Sequence, residues 1–410
     1  MQNAAPFTIL VDDFPPARRS LRIAVVTETY PPEVNGVAMT IARAVEGLRA
    51  RNHELQLVRP RQDKADVADN GERFVEVLLR GLPIPRYPQL KMGMPSKKAL
   101  VSLWTRRRPD VVHLATEGPL GWSALQAARH LRLPVVSDFR TNFHAYSKHY
   151  GIGWLRNPIM GYLRKFHNHT ACTMVPTQAL ARDLAAAGFR QLEVVARGVD
   201  TRHFDPARRS EGLRKSWGAG PRTRVVLCVG RLAPEKNLGT LLAAFEAMRE
   251  AERDLRLVLV GDGPSRGVLQ ARCPEAHFAG VRSGDDLAAH YASADLFVFP
   301  SMTETFGNVI PEAMASGLPA LAYDCAAAAQ LIRHGESGWL ARVDDSAGFV
   351  RLAARAVADF DDARAIGQRA REVALRLDWE RVIGQIEARY LWAIDGAEPA
   401  RGMAPLAVAG

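Results

Sequence analysis

The sequence lacks the marks of membrane-spanning and secreted proteins. It contains no run of about 18 apolar residues, the length that crosses a bilayer as a helix, so we expect no transmembrane segment. The N-terminal stretch is interrupted by Asp12, Asp13 and prolines, and it lacks the apolar core of a signal peptide. These absences predict a cytoplasmic protein, either freely diffusing or peripheral on the inner face of the cytoplasmic membrane.

Cysteine and metal-ligand patterns are equally sparse. The four cysteines (Cys172, Cys228, Cys273 and Cys325) are far apart and form no CxxC pair, which predicts buried thiols rather than disulfides or a zinc site. No HExxH, Walker, EF-hand or strand-flanked DxD motif is present. The sequence therefore predicts neither a bound metal nor a cofactor.

Excess positive charge is confined to one half of the chain. The net charge is +10, but residues 1–199 hold 28 Lys and Arg against 16 Asp and Glu, and the remainder holds 26 against 28. A solvated basic surface explains this excess, and so does attraction to anionic lipid or to a phosphate-bearing acceptor. No nucleic-acid motif accompanies the charge, so no nucleic-acid partner is expected.

Short apolar runs alternate with amphipathic stretches along both halves. LRIAVVT and PDVVHLA in the first half, like RVVLCVGR and ADLFVFPS in the second, are typical of strands buried on both faces. Their alternation with helical periodicity predicts an α/β protein with two Rossmann-like, doubly wound domains that face each other across a cleft. The predicted divisions are an N-terminal tail (1–19), a first domain (20–198), a second domain (199–376), a helix (377–397) and a disordered tail (398–410).

The stretch PSMTETFGNVIPEAMASGLP (residues 300–319) carries the strongest chemical signal. It follows a predicted strand, and seven residues separate Glu304 from Glu312. Carboxylates accept hydrogen bonds from sugar hydroxyls, and the backbone amides of Phe306, Gly307 and Asn308 would face outward from a helix start, which suits an anion. From spacing alone, an exposed loop glutamate and a solvated helix glutamate are the more ordinary explanation of the pattern.

Further candidates lie at the ends of other predicted strands. In GRLAPEKN (residues 230–237), Arg231 and Lys236 could neutralise a diphosphate without a metal, although an ordinary charged loop has the same composition. Gly36 in PPEVNGVA would let backbone approach a ligand closely. The GDGP turn, with Gly261 and Gly263, is expected at the same edge of the cleft, but it is not a dinucleotide fingerprint.

In combination, GRLAPEKN, LVGDGP, ASADLFVFPSMTETFGNVIPEAMASGLP and PPEVNGVA resemble the retaining GT-B glycosyltransferases of glycosyltransferase family 4. The resemblance runs from about Leu21 to Ile394. It implies a metal-independent transfer of a hexose from GDP-mannose or a UDP-hexose. The last predicted helix is then expected to cross back to the first domain.

The resemblance also assigns roles. It implies that Arg231 and Lys236 bind the donor diphosphate, that Glu304 contacts the transferred sugar and that Glu312 contacts the ribose. The remaining implied donor contacts are Gly36, Gly230, Gly261, Gly263, Val281, Arg282, Phe306, Gly307 and Asn308.

One departure from the family pattern concerns the acceptor side. Many members have a histidine, in a stretch like YHTNF, that touches the transferred sugar. Here the stretch is SDFRTNFHAYSKHYG, in which Arg140 takes the histidine's place and His144 follows four residues later; either residue is a candidate for the role. Glu117, in HLATEGPLG, belongs to a stretch that resembles the acceptor-side loop of relatives acting on lipids or lipid-linked sugars. The predicted acceptor is thus a lipid, a lipid-linked sugar or a saccharide.

Two rival functions fit part of the sequence. A nucleotide-sugar epimerase of the same fold would use the same donor residues without an acceptor. A non-catalytic binder of membrane surfaces or nucleic acid would explain the basic first half but not the paired glutamates. The stretch PSKKALVSLWTRRRPD predicts a short basic helix that either lies on a membrane or packs its apolar face within its own domain.

Overall fold

The first domain is a parallel sheet with interleaved helices. The computed structural model describes residues 19–33, 35–84, 87–140, 156–358 and 360–396. The strands of this domain are β1 (Arg22–Val26), β2 (Glu54–Pro60), β3 (Asn70–Gly71), β4 (Phe74–Leu79), β5 (Gly81–Ile84), β6 (Tyr87–Gly93), β7 (Val111–Leu114), β8 (Val135–Asp138), β9 (Cys172–Val175) and β10 (Leu192–Val194). The helices are α1 (Gly36–Ala50), α2 (Lys97–Arg106), α3 (Pro119–His130), α4 (Arg156–His167) and α5 (Gln178–Ala186).

The strand order of this sheet is β10-β9-β8-β7-β1-β2-β4-β3. Every pair is parallel except β3 with β4, and β5 and β6 form a separate antiparallel hairpin. The order reverses direction between β1 and β7, so the loops that follow these two strands diverge and leave a crevice at the carboxyl edge.

The second domain is also a parallel sheet with interleaved helices. Its strands are β11 (Arg224–Val229), β12 (Leu255–Val260), β13 (His277–Gly280), β14 (Leu296–Phe299), β15 (Ala320–Tyr323) and β16 (Gly338–Ala341). Its helices are α6 (Glu211–Ser216), α7 (Leu238–Ala251), α8 (Arg266–Arg272), α9 (Gly284–Ser293), α10 (Val309–Ala315), α11 (Ala326–Leu331), α12 (Ser346–Ala358) and α13 (Phe360–Ala374), followed by α14 (Trp379–Asp395).

The second sheet has the order β13-β12-β11-β14-β15-β16, and all of its pairs are parallel. If β11 is counted as the first strand, this order is 3-2-1-4-5-6, which is the order of doubly wound dinucleotide-binding domains. The order reverses between β11 and β14. The prediction of two Rossmann-like domains is confirmed.

Helix α14, here called the crossing helix, joins the core of the first domain. Val382, Ile383, Ile386 and Tyr390 are at most 4% exposed and pack among buried residues of α1 and the first sheet. The helices approach so closely that a methyl group at Gly47 would lie 1.8 Å from Ile383 Cδ1. The last described helix is thus fixed to the first domain.

Polar contacts reinforce this docking. Arg51 Nη2 lies 2.7 Å from Glu380 Oε1, and His53 Nε2 lies 3.2 Å from Glu387 Oε1. The His53 ring is completely buried, and burial lowers its pKa despite the opposing charge of Glu387. The crossing helix therefore meets the first domain through charged as well as apolar groups.

Several elements differ from the sequence prediction. Helix α1 begins at Gly36, two residues earlier than its periodicity indicates, because the Asn35 side chain caps it: Oδ1 accepts from Val37 N at 3.1 Å and Ala38 N at 2.8 Å. Strand β4 and the β5–β6 hairpin were not predicted, since their apolar patterns are short and interrupted by charged residues. The predicted tails lie almost entirely outside the described residues.

The basic helix α2 packs within its own domain. Leu100 and Trp104 are fully buried in the core beside α3. The alternative of an apolar face laid on a membrane is therefore wrong for this helix as folded, whereas Lys97, Lys98 and Arg106 remain exposed. Within the described part of the chain, no helix combines the length and the apolar character needed to cross a bilayer.

Candidate functional site

The candidate residues converge because the carboxyl edges of both sheets carry them. Gly36 follows β1 and Glu117 follows β7, the strands at which the first sheet reverses its order. Arg231 follows β11 and Glu304 follows β14, the corresponding strands of the second sheet. Ligands of doubly wound sheets bind at this position, outside the carboxyl ends of the strands.

A charged cluster occupies the crevice of the second domain. Lys236 Nζ contacts Glu304 Oε1, which also accepts from Ser301 Oγ at 2.7 Å. The side chains of Lys236 and Glu304 are only 14% and 16% exposed. Lys236 ends the short 3₁₀ turn Pro234–Lys236, so the turn after β11 delivers its ammonium to the loop after β14. Two of the residues predicted for chemistry are thus in direct contact.

Arg231 lies at the rim of the same cluster. Its guanidinium contacts the carboxylate of Glu235, whose side chain is completely buried, while the Arg231 side chain is 39% exposed. The buried carboxylate orients an otherwise mobile surface arginine. A cation is therefore held at the carboxyl edge of the sheet with much of its surface open to a ligand.

The loop after β14 reaches the first domain through Asn308. Asn308 Nδ2 donates to the Gly36 carbonyl at 3.4 Å and lies 3.3 Å from Thr40 Oγ1. Phe306 anchors the loop, since its side chain is 1% exposed and its carbonyl accepts from Ala327 N at 2.8 Å. Gly307 has φ +88°, a conformation that favours glycine. The predicted donor residues of the two domains thus meet across the cleft.

Gly230, Gly261 and Gly263 support the turns beneath this cluster. All three have positive φ, and a methyl group at Gly261 would lie 2.0 Å from the Gly230 carbonyl oxygen. A methyl group at Gly263 would lie 2.4 Å from the Leu232 carbonyl oxygen. The geometry assigns these glycines a packing role between adjacent loops, whatever ligand the loops hold.

Glu312 projects from α10 toward the second domain's interior. Its Oε2 accepts from Tyr291 OH at 2.9 Å. Burial raises the pKa of Glu312 to about 7, and the Tyr291 hydrogen bond opposes this rise only in part. A carboxyl group that titrates near neutrality can hold hydroxyl groups strongly only when it has lost its proton.

Val281 and Arg282 lie on the loop after β13. Val281 is 63% exposed, and Arg282 donates to the Ala279 carbonyl at 2.9 Å and to Asp286 at 3.1 Å. They are placed at the carboxyl edge of the second sheet, away from the Lys236–Glu304 contact. Their predicted proximity to a base stays a prediction.

A buried polar chain underlies Arg140 in the first domain. Arg140 Nε donates to Asp138 Oδ2 at 2.7 Å, and the same oxygen lies 2.9 Å from His113 Nε2. Tyr390 OH, from the crossing helix, lies 2.8 Å from His113 Nδ1. Burial alone would raise the pKa of Asp138, but the charges of Arg140 and His113 hold it well below its usual range. Arg140 is therefore fixed in one orientation at the carboxyl end of β8.

Sequence reasoning missed Arg197, which lies beside this series of hydrogen-bonded side chains. Arg197 is 9% exposed, its Nη1 lies 3.4 Å from Asn308 Oδ1, and its guanidinium lies 5.7 Å from the centre of the Phe306 ring. Burial, and then the charge of Arg140, lower the pKa of Arg197 to about 9. The signal that could have found it was an arginine directly after the apolar run LEVVA, just beyond β10.

Glu117 is 4% exposed, and its Oε1 has no hydrogen-bond partner among the described residues. Burial raises its pKa to about 8, which favours the protonated carboxyl group at neutral pH. The other candidate of the acceptor side, His144, lies outside the described residues. Within the described residues, no group of three or more His, Cys, Asp or Glu side chains could hold a metal ion.

Comparison with known proteins agrees with this geometry. Residues 223–359 match the family model described as "Glycosyl transferases group 1", and residues 34–203 match "Glycosyltransferase Family 4". A GDP-mannose-dependent alpha-mannosyltransferase of Mycolicibacterium smegmatis is 36% identical over 375 residues, which are 90% of this chain and 97% of that protein. A GDP-mannose-dependent alpha-(1-6)-phosphatidylinositol monomannoside mannosyltransferase of Mycobacterium tuberculosis is 29% identical over 401 residues, 92% of this chain and 99% of that protein.

Solved structures show the same fold. Sucrose-phosphate synthase from Thermosynechococcus elongatus superposes with a TM-score of 0.76, covering 92% of this chain and 100% of that chain at 19% identity. The predicted GT-B architecture is confirmed. The two family models and the 36% identity to the Mycolicibacterium smegmatis protein show that the chain belongs to glycosyltransferase family 4, and it is an enzyme that transfers a glycosyl group from a nucleotide sugar.

Proposed function

We propose that this enzyme is a retaining, metal-independent hexosyltransferase that moves mannose from GDP-mannose to a lipid, lipid-linked or saccharide acceptor. The observation that carries the proposal is the contact of Lys236 with Glu304 beside Arg231, at the point where the second sheet reverses its order. The choice of GDP-mannose is supported by the names of the relatives, since the Mycolicibacterium smegmatis protein is 36% identical over nearly the full chain.

The cluster suits a leaving diphosphate. When the bond between the sugar C1 and the phosphate oxygen breaks, negative charge develops on the diphosphate, and Arg231 and Lys236 supply two cations for it. Fixed charges that act where charge develops stabilise the transition state more than the ground state. The contact with Glu304 holds Lys236 at the carboxyl edge of the second sheet, where this role requires it.

Retention follows if the acceptor approaches on the face from which the diphosphate leaves. The acceptor oxygen then bonds to C1 while its proton passes to a departing phosphate oxygen, and the sugar carries oxocarbenium character in between. In this mechanism Glu304 holds sugar hydroxyls, and the contact of Asn308 with the Gly36 carbonyl closes the donor side of the cleft. Exclusion of water between the domains protects the donor from hydrolysis.

We further propose that the basic surface of the first domain attracts anionic membrane or a phosphate-bearing, lipid-linked acceptor. Lys97, Lys98, Arg106 and Arg108 are exposed on and beside α2, whose apolar side chains are buried. The attraction is therefore electrostatic and does not require the helix to insert. The relative that acts on phosphatidylinositol monomannoside, by its name, supports a lipid acceptor.

Removing either cation of the cluster is expected to slow the reaction. Lys236→Ala and Arg231→Ala each lower kcat by roughly 10²–10³-fold, the usual effect of losing one transition-state donor. Lys236→Ala is the cleaner variant, because Arg231→Ala also removes a partner of the buried Glu235. Arg249→Ala, which breaks an exposed pair with Glu275, is the matched control. Steady-state kinetics are measured on all three variants, and thermal unfolding checks that each is folded. Equal kcat values for the three variants would show that these cations have no part in the mechanism.

Chelation is expected to leave the rate unchanged, since the proposed mechanism neutralises the diphosphate with Arg231 and Lys236. Turnover is measured before and after exhaustive treatment with EDTA, and again after magnesium or manganese is added. Loss of activity on chelation, with recovery on adding either ion, contradicts metal independence.

Donor affinity is expected to rise with pH because Glu312 must be ionised to hold ribose hydroxyls. With its pKa near 7 in the free enzyme, the affinity for a nucleotide sugar should rise up to about tenfold between about pH 6 and about pH 8. A nucleotide sugar is the right probe, since its diphosphate does not titrate in this range. Glu312→Gln should bind more weakly with a flat pH profile. The ribose assignment fails if calorimetry gives the same pH dependence for both proteins.

Binding to anionic vesicles is expected to depend on the exposed lysines and on salt. The double variant Lys97→Glu, Lys98→Glu should co-sediment less than wild type, since each basic residue near anionic lipid contributes on the order of 1 kcal/mol. Lys215→Glu, an exposed site on the second domain, is the control. Equal binding to anionic and neutral vesicles at low and high ionic strength points to an acceptor in solution instead.

A further inference from the structure

Two buried arginines of the first domain line one small cavity in the cleft. Arg140 and Arg197 are 8% and 9% exposed, and the cavity they share is bounded by α1, the carboxyl edge of the first sheet and the crossing helix. Thr40 and Trp379 contribute to its wall from the two helices. Neither Lys236 nor Glu304, which belong to the other domain, lines this cavity.

The charges on this wall do not balance. Asp138 compensates Arg140 through a 2.7 Å hydrogen bond and a second contact from Nη2. Arg197 has no carboxylate within ion-pair distance among the described residues, and the charges of Asp138 and Glu304 act on it only from beyond that distance. Its guanidinium reaches the neutral amide oxygen of Asn308, at 3.4 Å. A buried charge without a counter-charge is unfavourable. The wall therefore carries two guanidinium groups and one carboxylate, which leaves an excess of one positive charge.

Hydrogen-bonded side chains behind Arg140 hold this one of the two cations in place. Asp138 Oδ2 lies 2.9 Å from His113 Nε2, and His113 Nδ1 lies 2.8 Å from Tyr390 OH. Since a carboxylate can only accept, His113 Nε2 carries a hydrogen toward Asp138. A guanidinium with fixed orientation binds a carboxylate or a phosphate with two parallel hydrogen bonds and loses little freedom in doing so.

We propose that Arg197 and Arg140 form a binding site for an anionic group, a carboxylate or a phosphate, that the acceptor carries. The inference rests on the proposed function, in which the second domain holds the donor and its diphosphate. Arg197 lies where the domains meet, beside Asn308, so the anion lies next to the transferred sugar. The substrate class is therefore an acidic sugar or a phosphate-bearing sugar or lipid headgroup, rather than a neutral saccharide.

The test compares acceptors that differ only in this charge. One pair is a hexuronic acid glycoside and its methyl ester, and the other is a sugar phosphate glycoside and its dephosphorylated form. The wild-type enzyme should prefer one anionic member by about 100-fold in kcat/KM, as expected for two charge-assisted hydrogen bonds. The pair that shows the preference identifies the anion as a carboxylate or a phosphate.

The variant Arg197→Met keeps the volume and removes the charge. It should lose the preference, while its affinity for the nucleotide sugar, measured by calorimetry, stays unchanged. Its ligand-free melting temperature should equal or exceed that of wild type, because a buried charge without a counter-charge has been removed. Arg197→Lys keeps the charge but lacks the planar guanidinium, so it should retain part of the preference. This second variant tests the proposal even if Arg197→Met does not fold.

Three results would overturn the inference. One is equal transfer by wild type to charged and neutral members of both pairs. Another is a loss of nucleotide-sugar affinity in Arg197→Met with the acceptor preference intact, which would assign the arginine to the donor. The third is a preference that survives in both variants. A wild-type enzyme that transfers to neither member from any nucleotide sugar would contradict the proposed function instead, so the two failures are distinguishable.

Discussion

The docking of the crossing helix on the first domain is the constraint on which the site depends. Val382, Ile386 and Tyr390 are buried in the first domain's core, although the helix follows the whole of the second domain in the chain. Two chain crossings therefore connect the domains, and the carboxyl edges of both sheets face each other. Asn308 then meets Gly36, and Tyr390 begins the polar chain that ends at Arg140.

The two sides of the cleft hold their charges differently. In the second domain, Lys236 and Arg231 each have a carboxylate partner, whose place a diphosphate could take. In the first domain, Asp138 compensates Arg140, but no described carboxylate is paired with Arg197. This asymmetry suits an enzyme that binds two substrates, one on each side, and joins them where the domains meet.

Much of the fold could be predicted from the sequence because its strands are buried on both faces. RVVLCVGR and LRIAVVT were placed to within two residues of β11 and β1, since continuous apolar runs between helices are distinctive. Strand β4 and the β5–β6 hairpin were not predicted, because charged residues and prolines interrupt their apolar patterns. For α2, periodicity indicated an apolar face but not what covers it; that depends on tertiary packing, which buries Trp104.

The residues of the site likewise divide into those that could be predicted from the sequence and those that could not. Arg231 and Lys236 stand in one motif and Glu304 in another, and the family resemblance implied that all three meet at the donor. Arg197, Asp138 and Tyr390 come from distant parts of the chain, and only the fold brings them together. Glycines 261 and 263 had a ligand role by resemblance, whereas their immediate surroundings show close backbone packing.

The central claim is a retaining transfer from a nucleotide sugar, and the anomeric configuration of the product tests it most directly. The full chain is incubated with GDP-α-mannose, an acceptor and EDTA, and the coupling of the anomeric carbon and hydrogen in the product is measured by NMR. The account predicts an α-linked mannoside. A β-linked product would contradict the retaining mechanism, and an absence of transfer from any nucleotide sugar would contradict the account as a whole.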